Sequence, residues 1–277
     1  EGDMPSRKRV YAAIEFTGPD RLPVRYWTTR GKFTDFHGAG PDFKHDEKRR
    51  IEGDYELWED MFGNTWGRLV TDKFSKGEVR RGVIQDWSQL DTLALPDLGR
   101  EECWEQVADA VREGKDMFVL GGIPGLGFSL MRKMRRLDNF LMDVVLEPEN
   151  VERLHAMVMD ELLKMIDRYG DAGVDGVMFA EDWGTQDRLL INPETWRQLF
   201  KPHFKRFCDA AHSRGIKVFM HSCGYLYEIL QDLLEVGIDV FQFDQQQNYG
   251  IDALNERCGG RGTFFSPVDI QHTLVTG

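Results

Sequence analysis

The feature that most restricts what this chain can fold into is a unit repeated through its second half: an amphipathic helical stretch, a glycine, then a short apolar run. Residues 151–169 set Val151, Leu154, Val158, Leu162, Met165 and Ile166 on one helical face. Gly170 is expected to end that helix and Gly176-Val177-Met178-Phe179-Ala180 to follow as a strand. Asn192 suits an N-cap and Pro193 a first helical residue, opening a helix that turns Trp196, Leu199 and Phe200 inward. Pro202 is expected to kink or restart it, because a proline ring clashes with the preceding turn of a helix. Gly215 closes it, and Lys217-Val218-Phe219-Met220 reads as the next strand. Leu226, Ile229, Leu230, Leu233 and Leu234 then line a helix stopped by Gly237 before a strand at 238–243, and 251–257 with Gly259 and Gly260 leads into Thr263-Phe264-Phe265.

Helices alternating with such strands predict an α/β fold, since a helix between two strands returns the chain to run parallel. Strand starts near 176, 217, 239 and 262 favour a distorted (β/α)8 TIM barrel, with an open doubly wound sheet as the other arrangement the pattern permits. Upstream, Trp104, Val107, Ala108 and Val111 mark a helix feeding a strand at 117–120, and residues 24–27 read as another strand, for six or seven in all. The chain, 1–277, is expected to form a single barrel domain in which the polar residues 31–56 make a loop or excursion near the barrel mouth. It opens without methionine and stops at Gly277 just after a strand and loop, so the expectation includes trimmed ends and a last strand past Gly277.

With 35 basic against 47 acidic residues the formal charge is −12, which opposes a phosphate backbone and argues against nucleic acid as a partner. Lys48-Arg49-Arg50 and the run Arg132-Lys133, Arg135-Arg136 are the basic exceptions. Both read as solvated surface, because no aromatic residues interleave them to stack on bases. No apolar run approaches the roughly 20 residues of a membrane helix, so no membrane partner is expected. Cys103, Cys208, Cys223 and Cys258 form no disulfide framework, which fits a reducing, cytoplasmic setting.

Active sites of parallel α/β folds lie at the C-terminal ends of strands, and here the residues after each apolar run are polar. Glu181, Asp182 and Trp183 follow the strand at 176–180, His221 and Cys223 that at 217–220, Asp244 and Gln246 that at 238–243, and Ser266, Asp269 and Gln271 that at 263–265. His221 and Cys223 are two residues apart, so on an extended segment they point to the same side and can hold one zinc ion, which keeps a thiol deprotonated near neutral pH. Asp244 at the next strand end can supply an oxygen ligand, whereas Cys258 sits in the turn entering a strand, at the opposite end of the barrel. The other reading of the pair is a partly buried thiol beside a hydrogen-bonded histidine. Glu181 and Asp182 are expected as a proton donor and acceptor or as contacts to a polar substrate, the other reading being helix N-terminal charge or a loop salt bridge. Trp183, Gln186, Gln246, Ser266, Asp269 and Gln271 are candidate substrate contacts. Gly121-Gly122-Ile123-Pro124-Gly125-Leu126-Gly127 lacks the Lys-Ser/Thr ending of a phosphate loop and the dinucleotide glycine spacing, and reads as a tight strand-to-helix loop. The histidines at 37, 45, 155, 203, 212 and 272 show no metal spacing, and His155 and His212 are expected on helices.

The stretches Phe179-Ala180-Glu181-Asp182-Trp183-Gly184-Thr185-Gln186, Val218-Phe219-Met220-His221-Ser222-Cys223-Gly224 and Ser266-Pro267-Val268-Asp269-Ile270-Gln271 resemble the uroporphyrinogen decarboxylase superfamily, and within it the methyltransferase branch that works with corrinoid proteins. The resemblance implies a distorted (β/α)8 barrel. It implies that His221 and Cys223 match a His-X-Cys zinc pair, completed by a later cysteine expected beyond Gly277, and that the metal activates a thiol which takes a methyl group from methylcobalamin. A small-molecule substrate and a corrinoid protein are the implied partners. The decarboxylase branch instead grips substrate carboxylates with arginines flanking a Gln-Ala-Gly segment. Here Thr28 and Lys32 stand in the two arginine places, with Arg25 and Arg30 as partial compensation. Decarboxylation of a polycarboxylate tetrapyrrole and non-catalytic binding of a corrinoid or tetrapyrrole are the alternatives to methyl transfer.

Overall fold

The computed structural model describes residues 3–28 and 31–276. Helix α1 (Ser6–Ile14) precedes an antiparallel hairpin of β1 (Arg25–Thr28) and β2 (Gly31–Thr34), and β3 (Phe36–Ala39) follows. Next, β4 (Arg50–Glu52), β5 (Tyr55–Glu59), β6 (Thr65–Leu69) and β7 (Glu78–Arg81) form a separate four-stranded antiparallel sheet. Helix and strand then alternate: α2 (Glu105–Glu113), β8 (Phe118–Gly122), α3 (Phe128–Met134), α4 (Leu137–Leu146), α5 (Pro148–Ala172), β9 (Gly176–Ala180), α6 (Pro193–Leu199), α7 (Lys201–Ser213), β10 (Lys217–Ser222), α8 (Leu230–Val236), β11 (Val240–Phe243), α9 (Ile251–Cys258) and β12 (Thr263–Phe264).

Six strands pair side by side in the order β12-β11-β10-β9-β8-β3, every pair parallel. The sheet curls so that side chains from its two end strands touch: Phe36 of β3 lies 4.8 Å from Phe265, just past β12, ring centre to ring centre. Side chains alternate across it, as a period of two requires. Val119, Val177, Phe179, Val218, Met220, Phe241 and Phe243 face outward into the core beneath the helices. Phe36, Phe118, Leu120, Phe219 and Val240 face inward and fill the barrel, where Val10 and Ile14 of α1 close its floor. Helix α1 is tied down by Arg9, which is fully buried and reaches Asp35 at 2.7 Å. Barrel architecture is therefore what the repeat unit predicted.

Asn192 caps α6 by accepting the Glu194 amide at 2.7 Å, and Pro202 marks the break between α6 and α7. Gly170 does not end its helix. That helix runs on to Ala172, and Gly173 closes it in the left-handed conformation at φ 82° that an L side chain resists.

Residues 31–56 are not one loop: they contain β2, β3, β4 and the start of β5, and β4 and β5 belong to the sheet that departs from the barrel as an excursion. β3 escapes detection because it spans four residues with one large apolar side chain, and its next inward position is Gly38. Residues 24–27 do lie largely in a strand, but it pairs in the antiparallel hairpin and not in the barrel sheet. Arg30 lies outside the described residues, and Arg25 is exposed.

The basic run on α3 is also not a solvated face. Arg135 is 7% exposed and paired with Asp143 at 2.7 Å, Arg132 and Lys133 are half-buried, and Arg136 alone is exposed. Among the described residues no helix is long and apolar enough to cross a membrane.

Candidate metal centre at the barrel mouth

The strand register explains why three polar side chains meet. His221 of β10 lies level with Ala180 of β9 and Gln242 of β11. It shares the inward parity of Phe219, as do Cys223 just past the end of its strand and Asp182 two residues past Ala180. One ligand atom each from Asp182, His221 and Cys223 falls within 4.8 Å of the others. Cys223 Sγ is 3.5 Å from His221 Nε2, and Asp182 Oδ1 is 3.8 Å from the same nitrogen.

Two glycines permit this approach. A Cβ on Gly224 would collide with the Gly184 carbonyl, and one on Gly184 would collide with the Tyr225 backbone. With neither present, the loops after β9 and β10 run backbone against backbone: the Tyr225 amide donates to Thr185 O at 2.7 Å and the Cys223 amide to Asp182 Oδ1 at 2.8 Å.

The other ring nitrogen fixes the tautomer. His221 Nδ1 lies 3.0 Å from Gln242 Oε1, an acceptor, so Nδ1 carries the proton and the Nε2 lone pair faces Cys223 and Asp182. Gln242 was missed in the sequence. Its signal was an inward parity shared with Asp244 on a strand that pairs with the histidine's own. Asp244, expected as the oxygen ligand, lies behind the ring, with Oδ1 3.8 Å from Nδ1; the oxygen on the ligand side comes from Asp182. Cys103, Cys208 and Cys258 are buried, and Cys223 alone is partly exposed. Burial, then the charges of Asp182 and Asp244, push its thiol up to about 11, so the bare side chain stays protonated at neutral pH. A divalent cation among these donors removes that obstacle. Nitrogen, sulfur and oxygen converging on one point suit zinc.

Glu181 and Trp183 have the opposite parity to Asp182 and point away from the mouth. Glu181 is fully buried, and its carboxylate accepts the backbone N–H groups of Leu126, Gly127, Phe128 and Ser129 at 2.7–3.2 Å. The glycine-rich loop thus cradles an internal carboxylate and opens α3, as a tight strand-to-helix connection. Burial pushes Glu181 up to about 7 while the four amide donors pull it back. It is a structural anchor, not an exposed proton donor. Trp183 is fully buried between Phe128 and Phe200, with ring centres 4.5 and 4.6 Å away, so it is core and not a substrate contact.

Most of the remaining expected contacts knit loops together. Gln246 donates to the Phe243 and Pro267 carbonyls, Ser266 Oγ accepts the Phe243 amide, and buried Asp269 accepts the amides of Gln247, Gln271 and His272. Gln186 and Gln271 are exposed, bonded to Asn248 and Gln245. On the other side of the mouth, a Cβ on Gly38, Gly40 or Gly122 would meet nothing within 4 Å, and Ala180 is exposed. Open space therefore faces the three-residue cluster.

A family model described as uroporphyrinogen decarboxylase (URO-D) matches residues 72–263. No curated protein matches the chain in sequence. Among solved structures, a methyltransferase from Methanosarcina mazei superposes with a TM-score of 0.65 at 13% identity, covering 95% of this chain and 82% of that one. A variant of NCR from Zymomonas mobilis gives a TM-score of 0.33 at 15% identity, over 51% of this chain and 44% of that one. A D-psicose 3-epimerase gives 0.37 at 8%, over 65% and 60%.

Proposed function

The chain belongs to the uroporphyrinogen decarboxylase family, and from that premise we propose that it is a methyltransferase moving a methyl group between a corrinoid and a thiol, with zinc held by His221, Cys223 and Asp182. The observation that carries the reading is the convergence of those three side chains at the strand ends. The methyltransferase named among the solved structures supports the reaction class, and the N, S, O donor set supports the metal.

Bound there, zinc would supply the positive charge that keeps a substrate thiol ionised at neutral pH. The chain's own residues do the rest. Gln242 holds the His221 ring and its tautomer, as an outer partner of a metal-binding histidine does. The Cys223 amide holds the Asp182 carboxylate toward the cluster. Asp244 sets a negative charge behind the imidazole, which strengthens it as a donor. The glycine-lined side of the mouth leaves room for a large, flat methyl carrier to approach.

Metal analysis of the protein and of Cys223→Ser tests the reading. One zinc per chain in the parent and at least a tenfold weaker hold in the variant, about 1.4 kcal/mol, is expected. Full retention of stoichiometric zinc by Cys223→Ser would overturn the ligand assignment. Decarboxylation of uroporphyrinogen by the purified protein, without methyl transfer from methylcobalamin to any thiol, would overturn the reaction.

A further inference from the structure

The half-buried cations on α3 form no ion pair among the described residues. Arg132 Nε is buried without a hydrogen-bond partner, and neither the Arg132 nor the Lys133 side chain makes a hydrogen bond or ion pair among the described residues. Aromatic rings lie beside both: the Arg132 guanidinium is 5.5 Å from the Phe128 ring and Lys133 Nζ 5.7 Å from that of Trp66. This is unusual for the molecule. Arg135, on the same turn, is buried together with Asp143 at 2.7 Å and two backbone carbonyls.

The carboxylates whose charges reach Lys133 are Asp60 and Glu181, and both are engaged elsewhere. Asp60 accepts the amides of Phe62 and Asn64, the Asn64 side chain and the Trp66 indole N–H. Glu181 holds four amides. Two like charges side by side, drawn partly out of water and left unpaired, cost free energy unless something else neutralises them. Burial and the neighbouring Arg132 accordingly lower the proton affinity of Lys133.

Their position points to what does so. Ser129 Oγ donates at 2.7 Å to the carbonyl of Ala180, whose side chain occupies the open inward position level with His221. Arg132 and Lys133 follow Ser129 by three and four residues, hence share its helix face, and helical side chains lean back toward the N-terminus. We propose that Arg132 and Lys133 bind an oxyanion group, carboxylate or phosphate-like, on the substrate that occupies the mouth opposite Asp182, His221 and Cys223. This inference rests on the mouth being the substrate site, as the methyl-transfer reading requires.

The test is calorimetric titration of inorganic phosphate and, separately, of succinate into the full chain at low ionic strength. Saturable binding of at least one is expected, about tenfold or more weaker in Arg132→Gln and Lys133→Gln and largely restored in Lys133→Arg. No saturable binding, or equal affinity in parent and Gln variants, overturns the proposal. Should a Gln variant fail to fold, the NMR signal of reductively methylated Lys133 in the parent decides instead: a shift on titration supports the site and none overturns it. The same titration beside zinc analysis of the parent protein separates the two readings. Anion binding without zinc leaves this site standing while methyl transfer falls, and zinc without anion binding does the reverse.

Discussion

Glu181 and Asp182 are adjacent carboxylates at the end of one strand, and the sheet's alternation gives them opposite lives. Asp182 turns inward to a mouth open to solvent, where its neighbours are a histidine and a thiol. Glu181 turns outward beneath the helices, where four backbone amides surround it out of reach of solvent. Identical chemistry in the chain thus becomes part of the mouth on one face and a structural joint on the other. The division extends along the strand ends: Cys223, Gln242 and Asp244 belong to the inner layer, Trp183 and Phe243 to the outer.

The contrast breaks first, and hardest, on the outer side. Glu181→Ala strands four buried amides and should cost about 4 kcal/mol in urea unfolding; a loss under about 1 kcal/mol would show that water replaces the carboxylate and that the joint is not structural. The same side chain gives stability a pH dependence of known sign. Because the folded carboxyl is raised from 4.5 to about 7, folded Glu181 keeps its proton where the unfolded chain has lost it. Its contribution is therefore full below pH 4.5 and disappears as pH rises through 7. The expected decline is about 3 kcal/mol, and Glu181→Gln should flatten it. A Gln variant with an unchanged profile would assign the dependence elsewhere.

On the inner side the effects move from stability to binding. Gln242→Leu should leave the melting curve nearly intact while loosening zinc by about 10–100-fold, since the ring loses the acceptor that sets its tautomer. Equal zinc affinity in that variant would detach Gln242 from the centre. Smallest of all, Asp182→Asn should change unfolding free energy by less than about 1 kcal/mol, because an amide oxygen can still accept the Cys223 N–H. If it destabilised as much as Glu181→Ala, the two carboxylates would not differ in kind.

What could be read from the sequence follows the same division. The helix, glycine and strand repeat announced the barrel because each barrel helix buries a stripe and each central strand is apolar on both faces. The pair His221 and Cys223 was legible because alternation is a local rule. Which of several acidic residues joined them was not. That depends on how the loop after β9 lies on the loop after β10, which Gly184 and Gly224 control across 40 residues of chain. The antiparallel sheet was hidden for a different reason: β4 and β5 carry charges between their apolar residues, as in Arg50-Ile51-Glu52 and Tyr55-Glu56-Leu57-Trp58-Glu59, and resemble a polar excursion until paired. Arg132 and Lys133 looked like surface because a charge run says nothing about what packs beside it.

The amide cradle of Glu181 also has a consequence in time. Its four hydrogen bonds join residues 52 to 55 positions apart, so they cannot form until the whole of α4 and α5 has been laid down and β9 has found β8. Closing so long a loop is slow compared with winding a helix. Amide protons of Leu126 to Ser129 should accordingly gain protection from exchange later in refolding than those of α5. The molecule would spend its early folding life with a recognisable helical scaffold and no mouth, acquiring the layer that can hold a metal only when its largest pieces are already in place.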